Sequence, residues 1–374
     1  MNRKIGKTGA AAAHMDHWLL FGTLVLAGLG LVMVFSSSGI MAERFYADKY
    51  FFFKKQTVFF VLGLGVMWLT ARMPRAMLYD LTYFWVVAAM LLLGLCAFTP
   101  LGTEAGGARR WLHLGPMSVQ PLEFAKLALV VYLAHFFARK QELVKTFSVG
   151  FMPPVLVTGA MCLLLLAQPD FGGAVFLAMI LFFMCLAGGT RLFYLVSSGA
   201  FGAWAGWMLI SQSPYRLKRW TAFLDPFKVA KDEGYQLVQS LYSFGSGQLA
   251  GVGLGAGKQK LFFLPEAHND FIMAVVGEEL GFLGVSFVFL LIGLLIWRGL
   301  CVTWKQEDLR DRLCAFGMVL ILALGFLLNL AVVLGTVPPK GVPMPFVSYG
   351  GSSMLASFAC VGILLNLSRN RKEA

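Results

Sequence analysis

Charge is what this chain has least of. Only 13% of its 374 residues are Asp, Glu, Lys or Arg, against 58% hydrophobic. A soluble domain carries roughly a quarter charged residues, and this chain has too few to cover a water-soluble globule of its size. Acid is the scarcer sign, with 19 Asp and Glu against 31 Lys and Arg, for a net charge of +12. The six cysteines (Cys96, Cys162, Cys185, Cys301, Cys314, Cys360) lie in or beside apolar runs. They show no metal-ligand pairs and no disulfide framework, so they read as packing residues. The glycine-rich stretch GYQLVQSLYSFGSGQLAGVGLGAGKQK ends without the Lys-Ser/Thr of a phosphate loop and has no strand before it, which argues against a nucleotide site. Basic residues are scattered among the connections instead of forming one face, so the positive charge does not suggest nucleic acid. Membrane lipid headgroups are the anionic partners it suits.

Long apolar runs are what the chain has in abundance. They lie near residues 17 to 36, 57 to 71, 79 to 99, 118 to 138, 151 to 168, 171 to 188, 192 to 211, 271 to 299, 313 to 336 and 347 to 367. Each approaches or exceeds the roughly 17 to 25 residues that cross a bilayer as a helix. The expected fold is all-α: one polytopic membrane bundle of about ten helices, a single domain over 1–374. A large extracytoplasmic loop, 212–270, separates the seventh and eighth helices. The first run follows a basic head but is long and lacks an A-x-A site, so it is taken as a retained anchor. An even number of spans puts both termini on one side, and Arg3, Lys4, Lys7, Arg369, Arg371 and Lys372 assign that side to the cytoplasm. Many basic residues then fall outside, including Arg109, Arg110, Lys258 and Lys260. They are either solvated loop residues touching anionic lipid or a pocket for an anionic substrate.

Several polar positions stand out. In QPLEFAK, Glu123 and Lys126 share a helix face at i and i+3, as a structural ion pair or part of a site. Just before them, GGARRWLHLG sets Arg109, Arg110 and Trp111 at the interface, where Trp111 would by position alone be an anchor. In AQPDFGG, Asp170 suits a helix cap. The proline-rich TVPPKGVPMPFVSYGGSS predicts a rigid outer cap. There Ser348 either meets a sugar or phosphate or satisfies backbone groups. The densest cluster is GKQKLFFLPEAHNDFIMAVVGEELGFLG, which brings Lys258, Lys260, His268 and Asp270 to a membrane boundary. Asp270 could cap the eighth helix, yet Asn269 would cap it equally well. Glu278 lies roughly 12 Å farther along a regular helix, so any catalysis uses one carboxylate. One suffices when the leaving group is a diphosphate: the acid takes a proton from the attacking hydroxyl. The phosphate charge is then met by lysines, arginines or a divalent cation such as Mg or Mn.

These motifs, with QPDFG, FLDPF and GSGQLAGVGLG in the same order, resemble the SEDS family of cell-wall polymerases, which includes FtsW and RodA. The wording of QKLFFLPEAH and VVGEELGF is closer to the division member than to the elongation member. Leu122 and Asn269 depart from the family's usual Ser and Thr. The resemblance implies a peptidoglycan glycosyltransferase of the bacterial cytoplasmic membrane, at the division septum. It would polymerise lipid II with a class B penicillin-binding transpeptidase and other divisome proteins. Asp270 would be the essential carboxylate, and Trp111, Glu123 and Lys126 functional, with Arg109, Lys258, His268 and Ser348 as further substrate-binding candidates. A lipid II transporter and a recruiting scaffold are the rivals.

Overall fold

A computed structural model describes residues 15–105, 107–115, 117–232, 234–338 and 341–369. The helices are α1 (His17–Tyr46), α2 (Phe51–Arg72), α3 (Arg75–Asp80), α4 (Thr82–Phe98), α5 (Pro121–Arg139), α6 (Met152–Ala167), α7 (Phe171–Gly188) and α8 (Leu192–Ser211). They continue with α9 (Pro214–Leu224), α10 (Tyr235–Gly247), α11 (Ile272–Trp304), α12 (Leu309–Val333) and α13 (Gly351–Ser368). Among the described residues nine helices are long and apolar enough to cross a membrane, and α4, 17 residues long, is a shorter apolar tenth. Each of the ten expected runs has therefore become a helix. Those in the middle are α12 and α13, with 72% and 78% of their apolar windows buried, whereas α8 has only 6% and stands at the edge. The two ends of the described chain meet, the Asp16 N–H donating to Ser368 Oγ at 3.3 Å.

Two features at the opposite end of the bundle were not expected. Three short strands form an antiparallel sheet, β1 (Gly102–Ala105), β2 (Ala108–Leu114) and β3 (Met117–Val119). The 212–270 loop is also partly ordered into α9 and α10, the latter burying Leu237, Val238, Ser240 and Ser243 against its neighbours. The i, i+3 spacing of its buried residues produces that one-sided helix despite its glycines.

Charge inside the bundle is paired, as hydrocarbon demands. Arg75 meets Asp311 at 2.6 Å and Arg298 meets Asp16 at 2.6 Å, both at the end that carries the termini. Backbone irregularity is compensated in the same way. Helix α11 is broken at Gly281, at φ 63 and ψ −163. The segment after α10 fills the break: Phe282 and Leu283 donate to the carbonyls of Gln248 and Leu249, while Val252 and Gly253 donate to those of Glu278 and Glu279. The glycines at 251 and 253 thus serve close, non-helical packing. A Cβ on Gly281 would run into the backbone of Gly251, in a conformation that is essentially glycine-only. Gly281→Ala is expected to destabilise the protein by of order 1–3 kcal/mol or more. Gly293→Ala, in open space on the same helix, should not. Unfolding midpoints of the two purified variants in detergent check this.

Candidate active site

Asp270 is two residues ahead of α11, yet it caps nothing: the residue at the cap position is Phe271, with no side-chain bond. The loop around Asp270 is held by its backbone. Asn329 of α12 donates to the Asp270 carbonyl at 2.8 Å and to the Val342 carbonyl at 2.9 Å. Ser348 Oγ donates to the Asn269 carbonyl at 2.7 Å and accepts from the Met344 N–H at 2.8 Å. The Tyr349 N–H donates to the His268 carbonyl, and Gln56 of α2 grips both ends of the Ser348–Gly350 turn. Of the two roles open to Ser348, its hydroxyl fills the backbone one. His268 is buried between Phe52 and Tyr349, with ring centroids 4.9 and 5.7 Å away. Burial pushes its imidazole below the ordinary range, against the pull of Glu266.

The Asp270 carboxylate faces the proline-rich cap. A Cβ on Gly341 would lie 3.0 Å from Asp270 Oδ2 and 3.7 Å from Arg110 Nη1, so the cap closes over a carboxylate and a guanidinium together. Among the described residues the carboxylate accepts no hydrogen bond. Burial first and then the charge of Glu266 raise Asp270 to about 7, while Arg110 pulls it down.

Arg110 is the residue the sequence reading passed over in favour of Arg109. Strand alternation decides between them. On β2, Ala108, Arg110 and Leu112 turn inward while Arg109 and His113 are exposed, with Trp111 half-buried on their side. Arg110 reaches Asp170 at 3.2 Å, and Asp170 also caps α7 through the Gly173 N–H. Reading GGARRWLHLG as a strand would have picked out Arg110. Lys258 is exposed and its amide, not its side chain, is held, by Glu278 at 2.8 Å. Lys260 is buried against Glu279 at 2.6 Å, which removes it from the expected phosphate-binding set. Buried ammonium groups persist only with such partners.

Glu123 and Lys126 pair at 2.7 Å inside the bundle, Lys126 also lying over the Phe176 ring. Glu123 lines a cleft of about 320 Å³ between α2, α4, α5 and α13. Its outer end is formed by Ser118, Val119, Gln120 and Ser352, and its walls run inward past Phe59, Val66 and Ala359 to Thr70 and Met73. Val119 and Ser118 on β3 pair with Leu112 and His113 on β2, so the strand that presents Arg110 also adjoins the mouth of the cleft. Among the described residues no three His, Cys, Asp or Glu side chains converge as a metal site. The neighbour set of Asp270, with a guanidinium beside it, makes no protein cage for Mg or Mn.

Fold and site together define a polytopic membrane protein with a desolvated carboxylate and an arginine at one mouth of its bundle, beside an apolar cleft. The chain belongs to the FtsW, RodA and SpoVE family, described as cell cycle proteins, whose pattern matches residues 17–373. It is 40% identical over 366 residues to the probable peptidoglycan glycosyltransferase FtsW of Trichlorobacter lovleyi, covering 97% of this chain and 95% of that one. It is 36% identical to the stage V sporulation protein E of Bacillus subtilis, covering 95% and 97%. The crystal structure of the rod shape determining protein RodA of Thermus thermophilus superposes with a TM-score of 0.70 at 29% identity, covering 96% and 98%. A chain from a peptidoglycan synthase complex that coordinates polymerization and crosslinking superposes with a TM-score of 0.79 at 29% identity, covering 96% and 99%.

A carboxyl raised in the folded state binds its proton more tightly than the unfolded chain does, so stability falls as pH rises from 3.8 to about 7 and then levels off. Asp270→Asn removes that penalty. Its melting temperature is expected to exceed that of the wild type by a margin that is small at acid pH, grows up to about 7 and then stays constant. Thermal unfolding of both proteins across that range measures it.

Proposed function

We propose that this protein polymerises lipid II with Asp270 as general base; the chain is a peptidoglycan glycosyltransferase of the division type. The observation that carries the mechanism is a half-buried carboxylate near neutrality, unengaged by hydrogen bonds among the described residues and beside a guanidinium. When ionised, Asp270 takes the proton from the acceptor sugar hydroxyl as that oxygen attacks the anomeric carbon of the donor. The bond from that carbon to the diphosphate oxygen breaks, and polyprenyl diphosphate leaves. Arg110 is placed to meet its charge, as a preorganised cation at the developing negative charge. A divalent cation bound to the diphosphate would add to that charge stabilisation. His268, shut among aromatic rings, is assigned to shaping the loop.

The cleft suits the polyprenyl chain. Its lining is almost wholly apolar, with Glu123, Gln120, Ser118 and Ser352 gathered toward its outer end and Thr70 at the inner. Passage of a sugar–peptide headgroup would need polar groups along the whole path, which favours polymerisation over transport. Trp111, Glu123 and Lys126 are assigned to the region where lipid and headgroup part. A structural relative works inside a peptidoglycan synthase complex, and a class B penicillin-binding transpeptidase is the partner proposed here, within the division machinery. Septal placement and cytoplasmic termini complete the reading, the latter supported by Lys and Arg at both chain ends.

Purified protein given lipid II in detergent with its partner transpeptidase should yield glycan polymer, which a transporter or a scaffold would not. Asp270→Asn should lower the rate ~10²–10⁴-fold, the usual worth of a general base, while lipid II binding persists; a rate near wild type would remove Asp270 from the role. The wild-type rate should rise with pH through about 7. Arg110→Gln, which takes away the cation that lowers Asp270, should move that midpoint upward.

A further inference from the structure

The mechanism above leaves unused the most deeply buried charges near the site. Glu278 and Glu279 are consecutive acids in a membrane helix, 2% and 0% exposed. Such groups are tolerated only when fully engaged. Glu279 accepts from Lys260 Nζ at 2.6 Å, from Ser36 Oγ of α1 at 2.6 Å and from the Gly255 N–H at 3.0 Å. Lys260 Nζ also donates to Ser36 at 3.1 Å. Glu278 accepts from the N–H groups of Lys258 at 2.8 Å and Gln259 at 3.2 Å. Both carboxylates therefore grip one short stretch, residues 255–260.

That stretch is linked to the site by successive backbone turns. The Leu264 N–H donates to the Gln259 carbonyl at 2.8 Å, and the Asn269 and Phe271 N–H groups donate to the Glu266 carbonyl at 3.0 and 3.3 Å. The outer side chains of this path, Leu261, Phe262 and Phe263, are exposed. Its inner anchorage combines the two glutamates at one end, the buried Leu264 and Ala267 between, and Asn329, Ser348 and Tyr349 at the other.

Building on the assignment of Asp270, we propose that Glu279, with Lys260 and Ser36, is a positioning clasp that sets the Asp270 loop for proton transfer without touching substrate. Lys260 serves the reaction by closing the clasp, not by binding phosphate. A displacement of about 1 Å in a reacting group can lower a rate of the order of a hundredfold, so the clasp acts on kcat.

The test uses the full-length protein with its partner and lipid II, in Lys260→Met, Glu279→Gln, the milder Ser36→Ala, and the swap Lys260→Glu with Glu279→Lys. Each of Lys260→Met and Glu279→Gln should lower kcat by about tenfold to a hundredfold with KM for lipid II within about twofold. Ser36→Ala should lower it less. The swap restores the ion pair but not acceptance of the Gly255 N–H, so it should recover part of kcat, while Lys260→Glu and Glu279→Lys alone do not. Amide hydrogen exchange over 255–270 should quicken in Lys260→Met and Glu279→Gln and be partly restored in the swap. A raised KM with kcat intact would make Lys260 a phosphate ligand and overturn the clasp. So would a lowered melting temperature with unchanged kcat, or a swap no better than the single reversals. If the wild type makes no polymer, the glycosyltransferase reading falls. Exchange then still judges the clasp, which unchanged protection of 255–270 would overturn.

Discussion

The architecture depends on one constraint: within hydrocarbon, every backbone and charged group must find its partner in the protein. Regular helices meet it for most of the chain. Where a helix is broken, another segment has to supply the missing partners, and at Gly281 that segment is 248–253. The outer connections are accordingly ordered by what they satisfy. The sheet takes the chain from α4 to α5, with the Arg109 N–H bonded to the Gln168 carbonyl between α6 and α7. The proline-rich cap is tied to α2 by Gln56 and to α12 by Asn329. The rigidity that membrane burial imposes on these loops is also what a catalytic carboxylate needs from its surroundings.

Against that background the treatment of Asp270 differs from that of other acids. Asp16, Glu123, Asp170, Glu279 and Asp311 each sit within 3.2 Å of a Lys or Arg nitrogen. Asp270 is half-buried, with a guanidinium near but not in salt-bridge contact and with Glu266 adding repulsion. Glu278, buried without a Lys or Arg partner in salt-bridge contact, is instead held by the Lys258 and Gln259 N–H groups. Among the described residues the Asp270 carboxylate has neither kind of bond, the arrangement that the proposed proton exchange requires. The cap glycine closes over both Asp270 and Arg110, the juxtaposition that the proposed base and its cation require.

How much of this was legible follows from the range of each signal. The ten helices were readable because hydrophobicity over some twenty residues is a local property, as were the Glu123–Lys126 pair at i and i+3 and the Asp170 cap. The strand carrying Arg110 was not anticipated, since seven residues with two adjacent arginines read equally well as an interfacial loop. Lys258 and Lys260 look alike in sequence, but one is exposed and the other lies against an acid nineteen residues away. Ser348 could not be assigned between ligand and backbone until the carbonyl of Asn269, 79 residues earlier in the chain, was beside it.

By itself, then, the sequence determined that the protein is a polytopic helical bundle, which segments cross, and that Asp270 sits at a membrane boundary within a cluster of polar motifs resembling one family. Those properties depend on composition and near-neighbour spacing, which folding does not alter. The tertiary structure alone decided which arginine faces Asp270, which lysine is consumed in a buried pair, and where an apolar cleft opens beside the sheet. Each of these turns on contacts between segments far apart in the chain, and a local pattern carries no information about which distant group will satisfy a buried charge.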